Sequence, residues 1–248
     1  MNDKQKHTFG LIGKILNYSF SKKYFTQKFL DENLSHCLYN NYELANINQF
    51  PNLIKNTAEL KGLNVTIPYK TEVIAYLNEL DEAAKSIGAV NTIKLKDGKL
   101  FGYNTDVIGF ENSIKPLLQA HHTKALILGT GGAAKAIQYV FGKMGIGFQL
   151  VSRRAKNNAI SYSNINETIL NTHHIIVNTT PLGTFPNVEV CADLPYQLLG
   201  KKHLLYDLVY NPAETAFLKK GKEKGATIKN GLQMLELQAE ASWQIWNR

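Results

Sequence analysis

A short apolar run that ends at a lysine is the first stretch of this sequence with the residue types of a reactive site. Residues 64–70 read NVTIPYK, so Asn64 and Thr66 precede the proline and Lys70 follows it. Pro68 lacks a backbone N–H and cannot continue a central strand, so we expect the strand to end there. Such a layout suits a polar pocket at the carboxyl end of a strand, and an ordinary surface loop is the alternative.

A second group of polar residues is positioned by a β-hairpin. The stretch NTIKLKDGKLFGYNTD begins at Asn91, and its Asp-Gly pair at 97–98 predicts a two-residue type I′ turn. That turn fixes the register, so Lys96 faces Lys99 and, counting outward, Asn91 faces Asn104. We therefore expect small polar side chains to gather at the open end of the hairpin, although turn formation alone is the alternative. These side chains are Asn91, Asn104, Thr105 and Asp106.

A glycine-rich turn indicates a phosphate-bearing cofactor. The stretch GTGGAA at 129–134 fits the G-x-G-x-x-G/A fingerprint and stands between an apolar strand and an amphipathic helix. Gly129 permits a tight turn, Gly131 lets the backbone approach a pyrophosphate, and Ala134 lets helix and strand pack closely. The helix N-terminus offers unpaired N–H groups to the phosphates. The predicted contacts are Gly129, Thr130, Gly131, Gly132 and Ala133.

The end of the next strand selects between the two dinucleotides. NAD sites generally place an Asp or Glu ~20 residues after the fingerprint to bind the ribose 2′-hydroxyl. Here the sequence reads VSRRAK at 151–156, without an acid. Guanidinium groups bind phosphate through paired hydrogen bonds, which favours the 2′-phosphate of NADP, and two surface arginines are the alternative. The residues concerned are Ser152, Arg153, Arg154 and Lys156.

Alternating strands and helices must position these residues. Apolar strand-like runs alternate with helical patterns over the first hundred residues, TEVIAYLNEL (71–80) being one predicted helix, and the alternation resumes after residue 107. We predict an α/β protein with two domains. The first is a mixed α/β domain, 1–106 with the final helix 232–248, which is too apolar to be free. The second, 107–231, is a Rossmann-type doubly wound parallel sheet.

The composition limits the class of protein. With 248 residues, 44% of them hydrophobic, the chain can bury one large core or two modest ones. No run approaches the ~20 uncharged apolar residues of a membrane helix. The start MNDKQKHTFG lacks the apolar core of a signal peptide, so we expect a cytoplasmic location. Cys37 and Cys191 give no disulfide framework, and we expect each to be a small buried side chain.

The net charge of +8 does not by itself indicate a nucleic-acid partner. The 28 Lys and Arg residues are scattered, apart from KKGKEKG at 219–225, which is typical of a solvated helix face. Small anionic ligands account for a basic balance equally well. The histidines at 121–122 and 173–174 show no ligand spacing. We therefore expect neither nucleic acid nor a metal.

A set of motifs extends over nearly the whole chain: NVTIPYK, GAVNT (88–92), NTD (104–106), GTGGAAKA (129–136), NTTPLG (178–183), YDLVYNPAET (206–215) and GLQMLELQA (231–239). In order and spacing, the set resembles the shikimate dehydrogenase family. The resemblance implies the reversible reduction of 3-dehydroshikimate to shikimate with NADPH, a step of chorismate and aromatic amino-acid biosynthesis. It also implies that the first domain binds the small-molecule substrate and the second binds NADP, with the active site in a cleft between them. We expect a monomer or homodimer.

The resemblance gives roles to the lysine and the aspartate. Lys70 and Asp106 resemble the catalytic pair of the family. Hydride delivery to a ketone builds negative charge on oxygen, which a positioned ammonium stabilises and protonates. Lys70 is thus implied to be the acid in reduction and the base in oxidation, with Asp106 orienting it. Asn91 and Asp106 would bind substrate hydroxyls, with Thr66 or Asn64.

Two serines are implied to bind the substrate carboxylate. They are Ser19 and Ser21, in the stretch NYSFSKKYF. Here the sequence departs from the family pattern, because Lys22 replaces a proline and the His-Asn pair that usually follows is missing. Ser21 could instead cap the helix that follows.

A glutamine in the last helix lies on an apolar face. Gln238 is three, four or seven positions from Met234, Leu235, Ala241 and Ile245. A glutamine there needs a partner or an exit to a cleft, and the resemblance implies a substrate contact, a satisfied structural glutamine being the alternative. Further residues implied to contact substrate or cofactor are Tyr210, Asn178, Thr179, Leu208 and Gly231.

Two other functions fit part of the pattern. One is a quinate/shikimate dehydrogenase that prefers NAD, against which the basic strand end argues. The other is a non-catalytic dinucleotide-sensing module on the same scaffold, which the absence of Lys70 or Asp106 would favour. Both residues are present.

Overall fold

The structure is a computed structural model that describes residues 6–16, 19–155 and 158–248. The chain divides into two compact units. Unit 1 is Met1–Thr105 with Gln238–Arg248, and unit 2 is Asp106–Leu237. The first boundary predicted from the sequence, after residue 106, lies one residue beyond the observed one. The second predicted boundary, before residue 232, lies at the start of the last helix, whereas the observed boundary lies inside that helix.

Unit 1 contains the strands β1 (His7–Gly13), β2 (Cys37–Glu43), β3 (Leu60–Val65), β4 (Glu79–Leu80), β5 (Thr92–Lys96) and β6 (Lys99–Tyr103). They form a six-stranded mixed sheet in the order β2-β1-β3-β5-β6-β4. The helices are α1 (Phe20–Asp31), α2 (Phe50–Asn56) and α3 (Glu82–Ile87). β1 is parallel to β2 and β3, whereas β5 is antiparallel to β3 and β6.

The hairpin between β5 and β6 has the predicted register. Lys96 pairs with Lys99, and Thr92 pairs with Tyr103 at the open end. Asp97 and Gly98 have φ of +51° and +73°, the two positive values that a type I′ turn requires. The turn therefore sets which residues meet at the hairpin mouth.

The predicted helix over TEVIAYLNEL is wrong. Glu72–Tyr76 is a 3₁₀ helix, and the strand β4 follows, parallel to β6. Asn78 explains the change, because its N–H donates to Leu100 O at 2.9 Å and its Oδ1 accepts from Leu100 N at 2.7 Å. Pairing at the sheet edge thus replaces the helical hydrogen bonds, while Leu77 still packs on the core.

Unit 2 contains the strands β7 (Lys124–Leu128), β8 (Gly147–Ser152), β9 (Ala159–Ser161), β10 (Ile175–Asn178), β11 (Leu204–Asp207) and β12 (Thr227–Lys229). They form a parallel six-stranded sheet in the order β12-β11-β10-β7-β8-β9. The helices are α4 (Asp106–Ile114), α5 (Gly132–Lys143), α6 (Glu167–Leu170) and α7 (Ala216–Glu223). The order reverses between β7 and β10, which confirms the doubly wound sheet. β9 was not predicted.

The last helix, α8 (Leu232–Trp246), begins in unit 2 and ends in unit 1. Its final turns complete the unit 1 core, where the ring of Trp246 stacks on Phe9 with centroids 4.9 Å apart. Trp246 Nε1 donates to Ile93 O at 2.9 Å. Gly62 makes room for this ring, because a Cβ there would lie 2.2 Å from Trp246 Nε1.

Four histidines of unit 2 form a group that is bonded to the backbone. The rings of His121, His122, His174 and His203 lie in successive contact, with neighbouring centroids 4.3–5.5 Å apart. Ring nitrogens of His121 and His122 contact Lys202 O at 3.0 and 3.1 Å. The rings of His121 and His122 therefore hold their loop against the loop that carries Lys202.

Across the described ranges, none of the helices combines the length and the apolar character needed to cross a bilayer.

Candidate functional site

Lys70 lies on a loop that is fixed from two sides. β3 ends at Val65, before the predicted end at the proline, because the chain turns there and Tyr69 N donates to Thr66 O at 2.9 Å. The side chain of Tyr69 is 2% exposed and belongs to the unit 1 core. The carbonyl of Lys70 accepts from Val90 N at 2.7 Å. Thr66 and Lys70 are both half-buried.

The mouth of the hairpin holds a buried network of hydrogen bonds. Asn91 Oδ1 accepts from the N–H of Thr105 at 2.7 Å and from its hydroxyl at 3.1 Å. The Thr92 hydroxyl lies 2.8 Å from the Ser242 hydroxyl, which is 3.2 Å from that of Thr105. We call Asn64, Asn91, Thr92, Thr105, Gln238 and Ser242 the polar cluster; each is at most 7% exposed.

Asn64 is held inside this cluster by its amide. Its Oδ1 accepts from the Tyr39 hydroxyl at 2.7 Å, and its Nδ2 donates to Ser242 Oγ at 3.0 Å. Two further contacts of Nδ2, to Thr92 Oγ1 and Asn91 O, are 3.3 Å long. The orientation of the amide is therefore fixed before any ligand binds.

Gln238 joins the cluster from the last helix. Its Oε1 lies 3.5 Å from Thr105 Oγ1, and its carbonyl accepts from Ser242 Oγ at 2.9 Å. The apolar face that the sequence predicts for this helix thus carries polar residues where it meets the hairpin mouth. Ser242 and Thr92 were not singled out from the sequence, because serine and threonine become informative only when the fold brings their hydroxyls together.

The two predicted carboxylate-binding serines have different surroundings. Ser19 Oγ accepts from Lys22 N at 3.1 Å and is the N-cap of α1, so the alternative that Ser21 caps this helix is wrong. Ser21 hydrogen-bonds the side chain of Tyr39 instead. Burial raises the pKa of Tyr39 well above its usual value, and the bond to Ser21 acts in the opposite direction.

The hairpin mouth leads directly into unit 2. Asn104 Nδ2 donates to Ala89 O at 2.9 Å, while its Oδ1 is buried and has no hydrogen-bond partner in the described part of the chain. Thr105 ends unit 1, and Asp106 is the first residue of α4. Asp106 is half-buried.

The glycine turn of unit 2 has a left-handed backbone at its first glycine and open space at the start of α5. Gly129 has φ +112°, and a Cβ there would lie 2.6 Å from Thr179 Oγ1. Gly131 precedes α5 without a side-chain cap, and a Cβ at Gly131 or Gly132 would meet nothing within 4 Å. Open space beside the unpaired N–H groups of a helix N-terminus suits phosphate oxygens. Ala134 is fully buried against the sheet, as predicted.

The end of β8 presents the two predicted arginines to solvent. Ser152 Oγ donates to Arg154 O, which folds the chain back just after the strand. Arg153 and Arg154 are exposed. The charge of Arg153 lowers the pKa of Tyr162, which burial raises more strongly. Lys156, also singled out from the sequence, lies outside the described residues.

A buried carboxylate that the sequence analysis left without a role ties the ends of β10 and β11 together. Asp207 is 0% exposed and accepts from Asn178 Nδ2 at 2.9 Å, Val209 N at 3.0 Å and Thr215 Oγ1 at 2.6 Å. Asn178 Oδ1 in turn accepts from Thr180 Oγ1 at 2.6 Å. The available signal was a single acid inside the apolar run LLYDLVY, which only a set of donors can stabilise.

Comparisons with known proteins extend over both units. A family model, "Shikimate dehydrogenase substrate binding domain", matches residues 11–93. A shikimate dehydrogenase (NADP(+)) of Caldicellulosiruptor bescii is 36% identical over 253 residues, covering 95% of this chain and 88% of the relative. The crystal structure of shikimate dehydrogenase from Aquifex aeolicus has a TM-score of 0.86 at 34% identity, covering 100% and 94% of the two chains.

The chain belongs to the shikimate dehydrogenase family. The resemblance found in the motifs and the predicted α/β fold are both confirmed. A third relative, shikimate 5-dehydrogenase from Thermus thermophilus, was solved in complex with NADP(H) and shikimate. It has a TM-score of 0.85 at 26% identity and covers 97% of this chain and 93% of that chain. The predicted class, an oxidoreductase that acts on a CH–OH group, is the class of these relatives.

Within this shikimate dehydrogenase fold, some predicted site residues lie in the polar cluster and others follow strands of unit 2. The predicted residues in the polar cluster are Asn64, Asn91, Thr105 and, from α8, Gln238. In unit 2, Thr179 follows β10 and donates to Leu128 O at 2.7 Å, beside Gly129. Leu208 and the half-buried Tyr210 follow β11.

Asp207 is expected to titrate far from its ordinary range. Burial raises its pKa from 3.8 to about 6, although its three donors act to lower it. The folded protein therefore holds this proton more tightly than the unfolded chain does. The contribution of Asp207 to the free energy of unfolding is therefore complete below pH 3.8. This contribution, about 3 kcal/mol, is lost as the pH rises through about 6. Carboxyl ¹³C NMR should show a midpoint near 6 that is missing in Asp207→Asn, and a midpoint near 4 would contradict the burial argument.

Gly231 is expected to tolerate no side chain. A Cβ at this position would lie 2.1 Å from Leu208 O, a backbone atom that cannot swing away. Gly231→Ala should therefore lower the free energy of unfolding by roughly 1–3 kcal/mol and displace the β11 loop that carries Leu208. The matched control is Gly142→Ala in α5, where a Cβ meets nothing and helix propensity favours alanine. Equal midpoints of thermal unfolding for the two variants would refute the prediction.

Proposed function

We propose that this chain catalyses the reversible reduction of 3-dehydroshikimate to shikimate with NADPH. The relatives' names, shikimate dehydrogenase (NADP(+)), support this proposal. The match to those relatives includes both units, and Lys70 and Asp106, which resemble the catalytic pair of the family, are present. The observation that carries the proposal is that one short segment, Val90–Asn91, forms hydrogen bonds to both the loop of Lys70 and the mouth of the hairpin. Val90 N binds the Lys70 carbonyl, and the adjacent Asn91 binds the N–H of Thr105.

These hydrogen bonds support a common role for the two proposed catalytic residues, Lys70 and Asp106. Lys70 and the residue before Asp106 are each tied to the segment Val90–Asn91 by a hydrogen bond of 2.7 Å. Catalytic groups gain most when the backbone that carries them is fixed in advance. We infer that the Lys70 ammonium and the Asp106 carboxylate bind one substrate molecule.

The proposed mechanism assigns one step to each group. NADPH supplies the hydride that reduces the ketone. Lys70 stabilises the negative charge that develops on the ketone oxygen and donates a proton to it, and in the oxidative direction it accepts that proton. Asp106 orients the ammonium and accepts a hydrogen bond from a substrate hydroxyl. The remaining proposed substrate contacts are Asn91, Asn64 or Thr66, Ser19 and Ser21, Tyr210 and Gln238.

The proposed cofactor site uses the ends of the unit 2 strands. The first turn of α5 and the open space at Gly131 and Gly132 fit a pyrophosphate. Arg153 and Arg154 would pair with the 2′-phosphate, which an exposed basic strand end favours over a free 2′-hydroxyl. The other proposed contacts are Gly129, Thr130, Ala133, Ser152, Asn178, Thr179, Leu208 and Gly231.

The direct test is a set of four oxidation assays at alkaline pH, combining shikimate or quinate with NADP⁺ or NAD⁺. The proposal predicts the highest kcat/KM for shikimate with NADP⁺, exceeding the value with NAD⁺ by roughly 10–100-fold. A preference for NAD⁺ or quinate would favour the quinate/shikimate alternative. Tight NADPH binding without turnover of either substrate would favour the sensing module.

The remaining parts of the proposal concern location and assembly. We propose a cytoplasmic enzyme whose partners are its substrate and cofactor, acting as a monomer or homodimer. Light scattering after size-exclusion chromatography measures the mass directly. A mass of three or more times 27.8 kDa would refute the proposed assembly.

A further inference from the structure

Two histidines and a cysteine meet at the edge of unit 1 where β1 and β2 begin. His7 is the first residue of β1, and Cys37 is the first residue of β2 and pairs with it in register. His36 precedes Cys37, and its carbonyl accepts from His7 N at 2.8 Å. One ligand atom from each of the three side chains lies within 4.8 Å of the others.

One atom of this group is buried without a hydrogen bond. His36 Nδ1 has no partner in the described ranges 6–16, 19–155 and 158–248. A buried ring nitrogen normally finds a donor or acceptor, so an orphan nitrogen needs an explanation. The ring of His36 packs against that of His7 with centroids 5.4 Å apart, and Cys37 is 6% exposed. The group is therefore largely, but not completely, shielded from solvent.

We propose that His7, His36 and Cys37 form a binding site for a divalent cation of the zinc class. Two imidazoles and a thiolate are the donors that Zn²⁺ and Co²⁺ prefer over Mg²⁺ or Ca²⁺. Tetrahedral bonds to such ligands hold the donor atoms roughly 3.3–3.6 Å apart, so small side-chain rotations close the present spacing. The cation binds as the Cys37 thiol releases its proton to solvent, and a water molecule fills the fourth position.

The site is separate from the proposed reaction. β1 and β2 are parallel, and the three ligands stand at their amino ends, whereas Thr66 and Lys70 follow the carboxyl end of β3, which is parallel to β1. Three charged groups act on His7 from nearby: Lys61 and Glu59 pair with each other at 3.2 Å, and the third, His36, is itself a proposed ligand. A bound cation would therefore join the starts of two neighbouring strands and stabilise the fold rather than take part in hydride transfer.

The test uses the full chain without a histidine tag, reduced, and titrated with Co²⁺. The proposal predicts one bound Co²⁺ per chain and a near-ultraviolet thiolate-to-cobalt absorption that Zn²⁺ displaces. In Cys37→Ser the absorption should vanish, and in both Cys37→Ser and His36→Gln the Kd should rise more than the ~10–100-fold that loss of an outer-shell partner costs. Cys191→Ser and His174→Gln are the matched controls and should bind like the wild type.

Each other outcome overturns the proposal. A wild-type chain without the absorption has no thiolate site, whatever the variants do. Retained binding in Cys37→Ser, or loss in Cys191→Ser, would assign the cation to other residues. Should Cys37→Ser fail to fold by circular dichroism, His36→Gln decides, because Zn²⁺ should raise the unfolding temperature of the wild type and leave that of His36→Gln unchanged.

Discussion

Lys70→Ala is expected to lower kcat for shikimate oxidation by ~10²–10⁴-fold, the usual contribution of a positioned acid or base. The Michaelis constant for shikimate should change much less, because the lysine acts mainly on charge that develops in the transition state. Steady-state kinetics at saturating NADP⁺ measure both constants.

The matched control for this variant is Lys85→Ala. Lys85 is an exposed lysine in α3 of the same unit, so its removal changes the net charge equally without touching the proposed site. Near-normal turnover in Lys70→Ala, or an equal loss in both variants, would refute the catalytic role.

Arg153→Ala is expected to raise the Michaelis constant for NADPH by roughly 10–100-fold, the value of a lost charged hydrogen bond to phosphate. The constant for NADH should remain nearly unchanged, since NADH has no 2′-phosphate for the guanidinium to bind. Initial rates of 3-dehydroshikimate reduction with each cofactor measure the two effects.

Lys219→Ala provides the control, because Lys219 is an exposed cation on α7 in the same unit. If Arg153→Ala weakens NADPH and NADH equally, the arginine acts on the fold or on a shared part of the cofactor. The predicted preference for NADP would then lose its basis at this strand end.

The parts of the fold that local chemistry dictates were predictable from the sequence. The Asp-Gly pair at 97–98 fixed a turn type and thereby a register, and Gly129 and Ala134 fixed a strand, turn and helix. The helix over TEVIAYLNEL was wrong because its pattern is ambiguous and a distant strand supplied the competing hydrogen bonds. Tertiary pairing of this kind leaves no mark in a local window.

The candidate site was predictable to a similar degree. Asn91 and Thr105 were expected together and do bond to each other, because one hairpin carries both. Asp207 and Ser242 received no role, since a buried carboxylate or hydroxyl is recognised by the donors around it. The grouping of His7 with His36 was likewise invisible, because it depends on the parallel pairing of two strands.

A crystal structure with shikimate and NADPH tests the central claim most directly. Both molecules are in their reduced forms, so neither can accept a hydride from the other and the pair does not react. The account predicts Lys70 Nζ within roughly 3.2 Å of the shikimate hydroxyl whose carbon faces the nicotinamide, and an Asp106 oxygen within the same distance of the ligand. A complex in which either group points away from shikimate, or in which shikimate binds far from the nicotinamide, would contradict it.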